Sequence, residues 1–465
     1  MDEAAPNPNC SGCQALLKRV ERLERKIVEL EALLRRDSSN SNQPPSSDSP
    51  SQRAERPSRP PSGKKPGGQP GHEAHLRALL PDEQVTRREH RAPRRCRRCA
   101  ASLADAEEIE PLRHQVVEIP RIAPDVTEYV LARRRCAICE TVTTARLPIG
   151  TPQGMCGPRL MGLIALLTGA YHLSRRTTAT LLGDVLGVKL SLGTVSNVES
   201  RVSDALAPAH AEALARVRQA KVKNLDATTW AQAGEPRSLW TFASRLATVF
   251  VITLGATTEV VRELVGAVRG TLVTDRGSQF GFWAMERRQI CWAHLVRRFV
   301  AFTESPRPEV QKLGEALLLL AQVHLACWYR VRDGTQTRHN LQALVARLEP
   351  IILGHLERGV RLRLRGVSGV CANLLAHREA LFTYAFVDGV PTTNNHAEQE
   401  LRSFVLWRKQ TAGTRSERGD RYAERVMTVV HTLRKQGRHV LSFLELACAN
   451  SLRAEAIPAL TRPGP

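Results

Sequence analysis

The stretch that most restricts the fold begins at residue 221. Val222–Asp226, Leu239–Ser244 and Thr248–Leu254 read as three strands in series. Glu259–Val268 reads as a helix, and Thr271–Thr274 as a short apolar strand that runs into Asp275. Strand, strand, strand, helix, strand is a β-rich order inside a chain whose flanks are helical in pattern, so the expected class is α+β. At 465 residues the chain is too long for one ordinary domain.

That order is also the opening of an RNase H-like domain, and it puts Asp226 in the first strand and Asp275 just after the fourth. Adjacent central strands would bring the two side by side although 275 − 226 = 49 positions separate them. Cutting a phosphodiester requires an activated water and a stabilised leaving oxygen, which two divalent ions about 3.5–4 Å apart supply. Such hard cations want carboxylate oxygen, and a third acid is needed from a helix against the sheet. The stretch PTTNNHAEQELRSF offers one. Asn394 and Asn395 are suited to cap a helix, Glu398 follows on its first turn, and Leu401 and Phe404 would face the core. Glu400 is a competing candidate.

The N-terminal side is modular. Leu16, Val20, Leu23, Ile27, Leu30 and Leu34 are spaced as an a/d heptad seam, expected to pair two subunits as a leucine zipper. Residues 37–71 are Ser-, Pro-, Asn- and Gly-rich and nearly lack apolar side chains, the composition of a linker. Lys64 and Lys65 at its end could touch phosphate without sequence preference. Two Cys-x-x-Cys pairs follow, Cys96/Cys99 and Cys136/Cys139, with β-like stretches at His114–Ile119 and Val126–Leu131 between them. Two cysteine knuckles joined by a hairpin is a zinc-ribbon layout, in which Cys96, Cys99, Cys136 and Cys139 would hold a structural Zn²⁺ as four thiolates. Cys10 and Cys13 have no matching pair nearby and are assigned no metal. Further on, Thr177–Leu186 and Leu192–Val202 suggest a helix-turn-helix.

Charge narrows the partner. Sixty-seven basic residues against 46 acidic ones leave +21, which points to nucleic acid ahead of an anionic membrane. Eleven cysteines, an odd number, with no basic flank or apolar core in Met1–Asn9, argue for a reduced cytosol and against export or a disulfide framework. No apolar run reaches about 18 residues, so no membrane span is expected.

The chain resembles bacterial insertion-sequence transposases of the TnpC type. The matching stretches are DSSNSNQPPSSD, KKPGGQPGHE, the two Cys-x-x-Cys pairs, LDATTW, LVTDRGSQF, CWAHLVRRF, NNHAEQELR and WRKQTAGTRSERG, in order over nearly the whole chain. The resemblance implies a DDE transposase in which Asp226, Asp275 and Glu398 hold two Mg²⁺ or Mn²⁺ ions. It also implies that Cys291 and His294 lie near that site. His294, with Arg297 and Arg298, would help place the DNA backbone, and Arg402, Arg408 and Lys409 after the third acid would neutralise phosphates. Two departures stand out: Ala227 follows the first Asp where the family commonly has Glu, and the usual Asp-Gly-Tyr is Asp275-Arg276-Gly277.

The expected organisation is a coiled coil over 1–36, a linker over 37–71 and a zinc-binding domain over 72–150. A helical DNA-binding region over 151–220 precedes an RNase H-like core over 221–304 and 386–450. A helical insertion over 305–385 interrupts the core, and a tail covers 451–465. The expected activity is metal-dependent strand cleavage and strand transfer at the element's ends. Its partners would be double-stranded DNA (terminal repeats and target), a second copy of the chain and accessory proteins of the same element, in a bacterial cytoplasm at the nucleoid. Two other readings are an inactive, transposase-derived DNA-binding regulator and a metal-dependent nuclease without strand transfer.

Overall fold

The computed structural model describes residues 11–34, 37–40, 48, 78–120 and 122–461. Lys64, Lys65 and Cys10 lie outside the described residues. The chain divides into two compact units, one spanning 53–125 and the other 1–52 with 126–465. The boundary at 125/126 falls between the two cysteine pairs.

Helix α1, Ser11–Leu34, runs over the heptad seam. Its described seam residues Val20, Leu23 and Ile27 are each about half exposed. The two cysteine pairs form the same turn twice. Ala100 N–H donates to the Cys96 carbonyl and Cys96 N–H to that of Ala101. Likewise Glu140 N–H donates to the Cys136 carbonyl and Cys136 N–H to that of Thr141. Ala100 and Glu140 are both left-handed, at φ 59° and 57°. Strands β1 (Arg133–Arg135) and β2 (Val142–Thr144) pair antiparallel around the second turn, and a single bridge, Arg95 to Ser102, closes the first.

The expected strands His114–Ile119 and Val126–Leu131 do not form. Their apolar side chains, Val116, Ile119, Val126 and Val130 among them, are exposed. A β-type run needs a half-buried surface to pack on, and these have none. Cys96 and Cys99 belong to one unit, and Cys136 and Cys139 to the other. Cys99 is a free, exposed cysteine. Cys139 is exposed in the same way, and Cys96 and Cys136 are partly buried.

Helix α2 (Pro158–Ala165) leads into a π-helical turn, Leu166–Ala170. Helix α3 (Arg175–Leu186) starts where the Ser174 hydroxyl accepts the Thr177 N–H, and ends at Gly187 in the left-handed conformation (φ 69°). Helix α4 (Leu192–Gln219) is capped likewise by Ser191. The helix–turn–helix order is present, but α4 is 28 residues long and much longer than the pattern suggested. Its Val195, Val202, Leu206, Ala213 and Val217 are fully buried.

Strands β3 (Val222–Gln232), β4 (Glu235–Ala243) and β5 (Thr248–Thr253) form an antiparallel meander. Helix α5 (Thr258–Val265) returns the chain to β6 (Thr271–Thr274), parallel to β3, and β7 (Arg288–Ile290) adds parallel to β6. The order across the sheet is β5-β4-β3-β6-β7. Helices α6 (Trp292–Thr303), α7 (Pro308–Arg332), α8 (Arg338–Arg361) and α9 (Ser368–Ala376) follow. The chain then returns through α10 (Asn395–Thr411), α11 (Glu417–Lys435) and α12 (Val440–Arg453).

Side-chain alternation along the strands splits the core by face. Leu225, Trp240, Phe242, Val249 and Leu272 pack with α2, α4, α5, α11 and α12. On the opposite face, Leu239 and Phe250 pack against Leu401, Phe404 and Trp407 of α10. Val273 and Ile290 pack with the α6–α9 helices. Among the described residues no helix is long and apolar enough to cross a membrane.

Candidate active site

The register of the parallel strands builds the site. Val222 pairs with Thr271, Lys223 with Leu272 and Asn224 with Val273, a constant offset of 49. Asp226 and Asp275 are 275 − 226 = 49 apart, so they fall level on neighbouring strands, which run about 4.8 Å apart. Thr274 pairs with Ile290, an offset of 16, which puts Cys291 level with Asp275. Asp226, Asp275 and Cys291 thus form a row at or just beyond the carboxyl ends of β6 and β7. Open sheets of this kind bind ligands at that edge.

Glu398 reaches the row from the first turn of α10. The helix is held there by Asn394, which is fully buried. Its side-chain amide donates to the Leu225 carbonyl (3.0 Å), and its side-chain oxygen accepts from Asn224 Nδ2 (3.0 Å). Its backbone N–H points at Cys291 Sγ (3.2 Å). Asn394 sits at the helix N-cap as expected, but its side chain makes no capping bond. It ties α10 to the strand that carries Asp226.

Burial, followed by the charges of Asp275 and Glu398, pushes the Asp226 carboxyl up to about 8. Asp226 and Asp275 stand level on neighbouring strands, and the charge of Glu398 acts on Asp226 from α10. The Asp226 carboxylate accepts the Ala227 N–H (2.9 Å), and that of Asp275 accepts the Gly277 N–H (2.8 Å). Glu398 Oε1 is buried without a hydrogen-bond partner, a costly state unless a cation satisfies it. His294, on the first turn of α6, has Nδ1 3.8 Å from that oxygen. Burial holds His294 below the usual imidazole value, against the pull of Glu398. Burial likewise raises the Cys291 thiol to about 11.

Basic side chains surround the acids unevenly. Arg276, half-buried beside Asp275, donates to Asn373 of α9 (3.1 Å), so the inserted helices supply a residue to the rim. Arg288 was not singled out by sequence reasoning. It is fully buried behind β6 and donates to the Asp275 carbonyl (3.3 Å); burial lowers it to about 10. Arg408 donates to Thr228 Oγ1 (3.2 Å) and braces β3, whereas Arg402 and Lys409 are exposed. Arg297 and Arg298 lie on α6, partly exposed.

Glu400, the rival third acid, is committed elsewhere. Its carboxylate meets Lys435 Nζ (2.9 Å) and His431 Nδ1 on α11, with His396 Nε2 at 3.6 Å. Burial opposes its charge, but these partners outweigh burial and hold it well below the usual carboxylate value. Helical spacing separates the two acids: residues two apart point to different sides of the helix.

Among the described residues, the group whose donors could hold a metal is Cys291, His294 and Glu398. Cys96, Cys99, Cys136 and Cys139, the expected zinc ligands, are not in that group.

Residues 153–422 match the family model described as Transposase IS66 family, more than half of the chain. The chain belongs to the IS66 transposase family. The matched span of this IS66 chain contains all three carboxylates, Cys291 and His294, and its membership supports a transposase role with DNA as substrate. Residues 10–78 match a family of unknown function, DUF6444. No curated protein matches the chain.

Proposed function

We propose that this IS66-family protein is a DDE transposase whose catalytic acids are Asp226, Asp275 and Glu398. The observation that carries the reading is their convergence. Burial and two neighbouring carboxylates raise Asp226, and Glu398 presents a buried oxygen with no hydrogen-bond partner among the described residues. This donor set fits hard divalent cations, Mg²⁺ or Mn²⁺, in a pair held by the three acids. When bound, such ions activate a water and stabilise the leaving oxygen of a phosphodiester.

The protein's own part is placement. Strand register sets Asp226 and Asp275 abreast, Asn394 fixes the helix that brings Glu398, and Arg288 steadies the Asp275 backbone. The reaction would hydrolyse the bond at the element's end and then transfer the freed 3′ hydroxyl to target DNA. No covalent protein–DNA intermediate is required. Arg297, Arg298, Arg402 and Lys409 would neutralise phosphates, which makes binding steeply salt-dependent. The sheet order β5-β4-β3-β6-β7, with its antiparallel meander and two parallel strands, favours an RNase H-like core interrupted by the α6–α9 helices. The turns at Cys96/Cys99 and Cys136/Cys139 each present two thiols in the form of a zinc knuckle, which suits structural Zn²⁺. Helix α1, with its exposed seam, would pair two copies.

The test is Mg²⁺- or Mn²⁺-dependent cleavage and strand transfer on DNA bearing the source element's ends. Wild type should release and join 3′ hydroxyl ends. Asp275→Asn should bind the DNA but lose cleavage by roughly a thousandfold, since a lost metal site removes several kcal/mol of transition-state stabilisation. Equal cleavage by both proteins would sink the assignment. Cleavage without joining would favour a nuclease, and intact binding without cleavage by wild type a regulator.

A further inference from the structure

One sulfur, one imidazole nitrogen and one carboxylate oxygen, from Cys291, His294 and Glu398, lie within 4.8 Å of one another. A tetrahedral zinc ion bonds sulfur at about 2.3 Å and nitrogen or oxygen at about 2.0–2.1 Å, which sets its donors roughly 3.3–3.6 Å apart. His294 Nδ1 and Glu398 Oε1 are already at 3.8 Å. Both atoms are buried, and neither has a hydrogen-bond partner among the described residues. The Asn394 N–H directed at Cys291 Sγ orients the sulfur, as outer contacts do around metal-bound thiolates.

We propose that Cys291, His294 and Glu398 form a site for one thiophilic divalent ion of the zinc class, separate in chemistry from the three-carboxylate set. Thiolate and imidazole select such an ion over Mg²⁺, which prefers oxygen alone. On binding, the Cys291 thiol gives its proton to solvent as the sulfur–metal bond forms. His294 contributes a neutral lone pair, and no electron changes hands. Three protein donors leave a fourth position open. The two sites share Glu398, so occupation by a thiophilic ion withdraws that acid from the hard-cation site and inhibits cleavage. This inhibition rests on the proposed catalytic role of Glu398; the binding itself does not.

The experiment is a Co²⁺ titration of the full chain, reading stoichiometry and the thiolate-to-cobalt charge-transfer absorption. Wild type is compared with Cys291→Ser, His294→Gln and Asp275→Asn. The four cysteines of the paired turns are unchanged in every variant, so differences report this site. Wild type should bind one more Co²⁺ than Cys291→Ser or His294→Gln, and Asp275→Asn should keep the wild-type thiolate-to-cobalt absorption. Cys291→Ser should also lose one thiolate's share of the absorption. His294→Gln keeps every thiol and serves if the buried serine variant fails to fold. Equal stoichiometry in wild type and a folded His294→Gln overturns the site. A metal-binding difference in these variants, with Asp275→Asn cleaving as well as wild type, would keep the site and reject only the catalytic reading.

Discussion

Glu398 and Glu400 stand two residues apart on one helix and meet opposite fates. Glu400 is matched by Lys435 and His431, whereas Glu398 and Asp226 crowd other carboxylates. The linkage signs differ accordingly. Glu400 is depressed, so its contribution is full above the unfolded carboxylate value near pH ~4.3 and is lost as pH falls through its lower folded value. Glu400→Gln should cost about 3–5 kcal/mol at neutral pH by leaving buried basic partners unpaired. It should also flatten the acid limb of a stability-against-pH profile measured by denaturant unfolding. Asp226 is raised, so its ionisation costs stability as pH rises above the unfolded value. In chelator, Asp226→Asn should therefore raise the thermal midpoint by roughly 2–4 °C, the shift expected for about 1 kcal/mol in a domain of this size. A fall in the midpoint would count against the crowding of the three acids.

At the scale of elements, α10 is pinned to β3 at both ends. Asn394 does this at the start. At the far end, Thr414 N–H donates to the Ala231 carbonyl and Ala233 N–H to that of Thr414. The Asp420 carboxylate accepts from Trp230 Nε1 and Gln232 Nε2. Asn394→Ala leaves the Leu225 carbonyl and the Asn224 amide unmet inside the protein. It should cost about 2–4 kcal/mol and lower the cleavage rate more than DNA affinity, as single-turnover kinetics beside a binding titration would show. Gly413 makes the far-end junction possible. Its φ is +105°, and a Cβ there would collide with the Ala231 carbonyl oxygen. Gly413→Ala should destabilise by about 2 kcal/mol or more in chemical unfolding.

For the whole molecule, the α1 seam matters most. Val20, Leu23 and Ile27 are about half exposed, an apolar stripe that a second copy would cover. Sedimentation should report a dimer for wild type, and Leu23→Glu with Ile27→Glu should shift it to monomer while Mg²⁺ binding at the acids persists. A monomeric wild type would remove the zipper reading. The net charge of +21 belongs to this scale too: DNA affinity should fall steeply, as a power of salt concentration.

The sequence by itself determined the elements around the acids, because apolar periodicity and turn residues are local signals. The β6 strand with Asp275 just after it was legible, as was α10 with Leu401 and Phe404 facing inward, whereas β3 runs on to Gln232, past the expected strand end at Asp226. Those signals failed at His114–Ile119 and Val126–Leu131, where an alternating pattern had no surface to pack on. The cysteine spacing foretold the turns at Cys96/Cys99 and Cys136/Cys139, which are local, but not that Cys99 and Cys139 would stand exposed in separate units. Only the tertiary structure decided which acid on α10 faces the row, since helical spacing offers both and the neighbours choose. It also decided that Asn394 bonds across to β3 and that Arg288 is buried behind Asp275. The closeness of Cys291, His294 and Glu398 depends on strand register and on the seating of a helix about a hundred residues away in the chain. No local preference encodes a distance between segments so far apart; packing sets it.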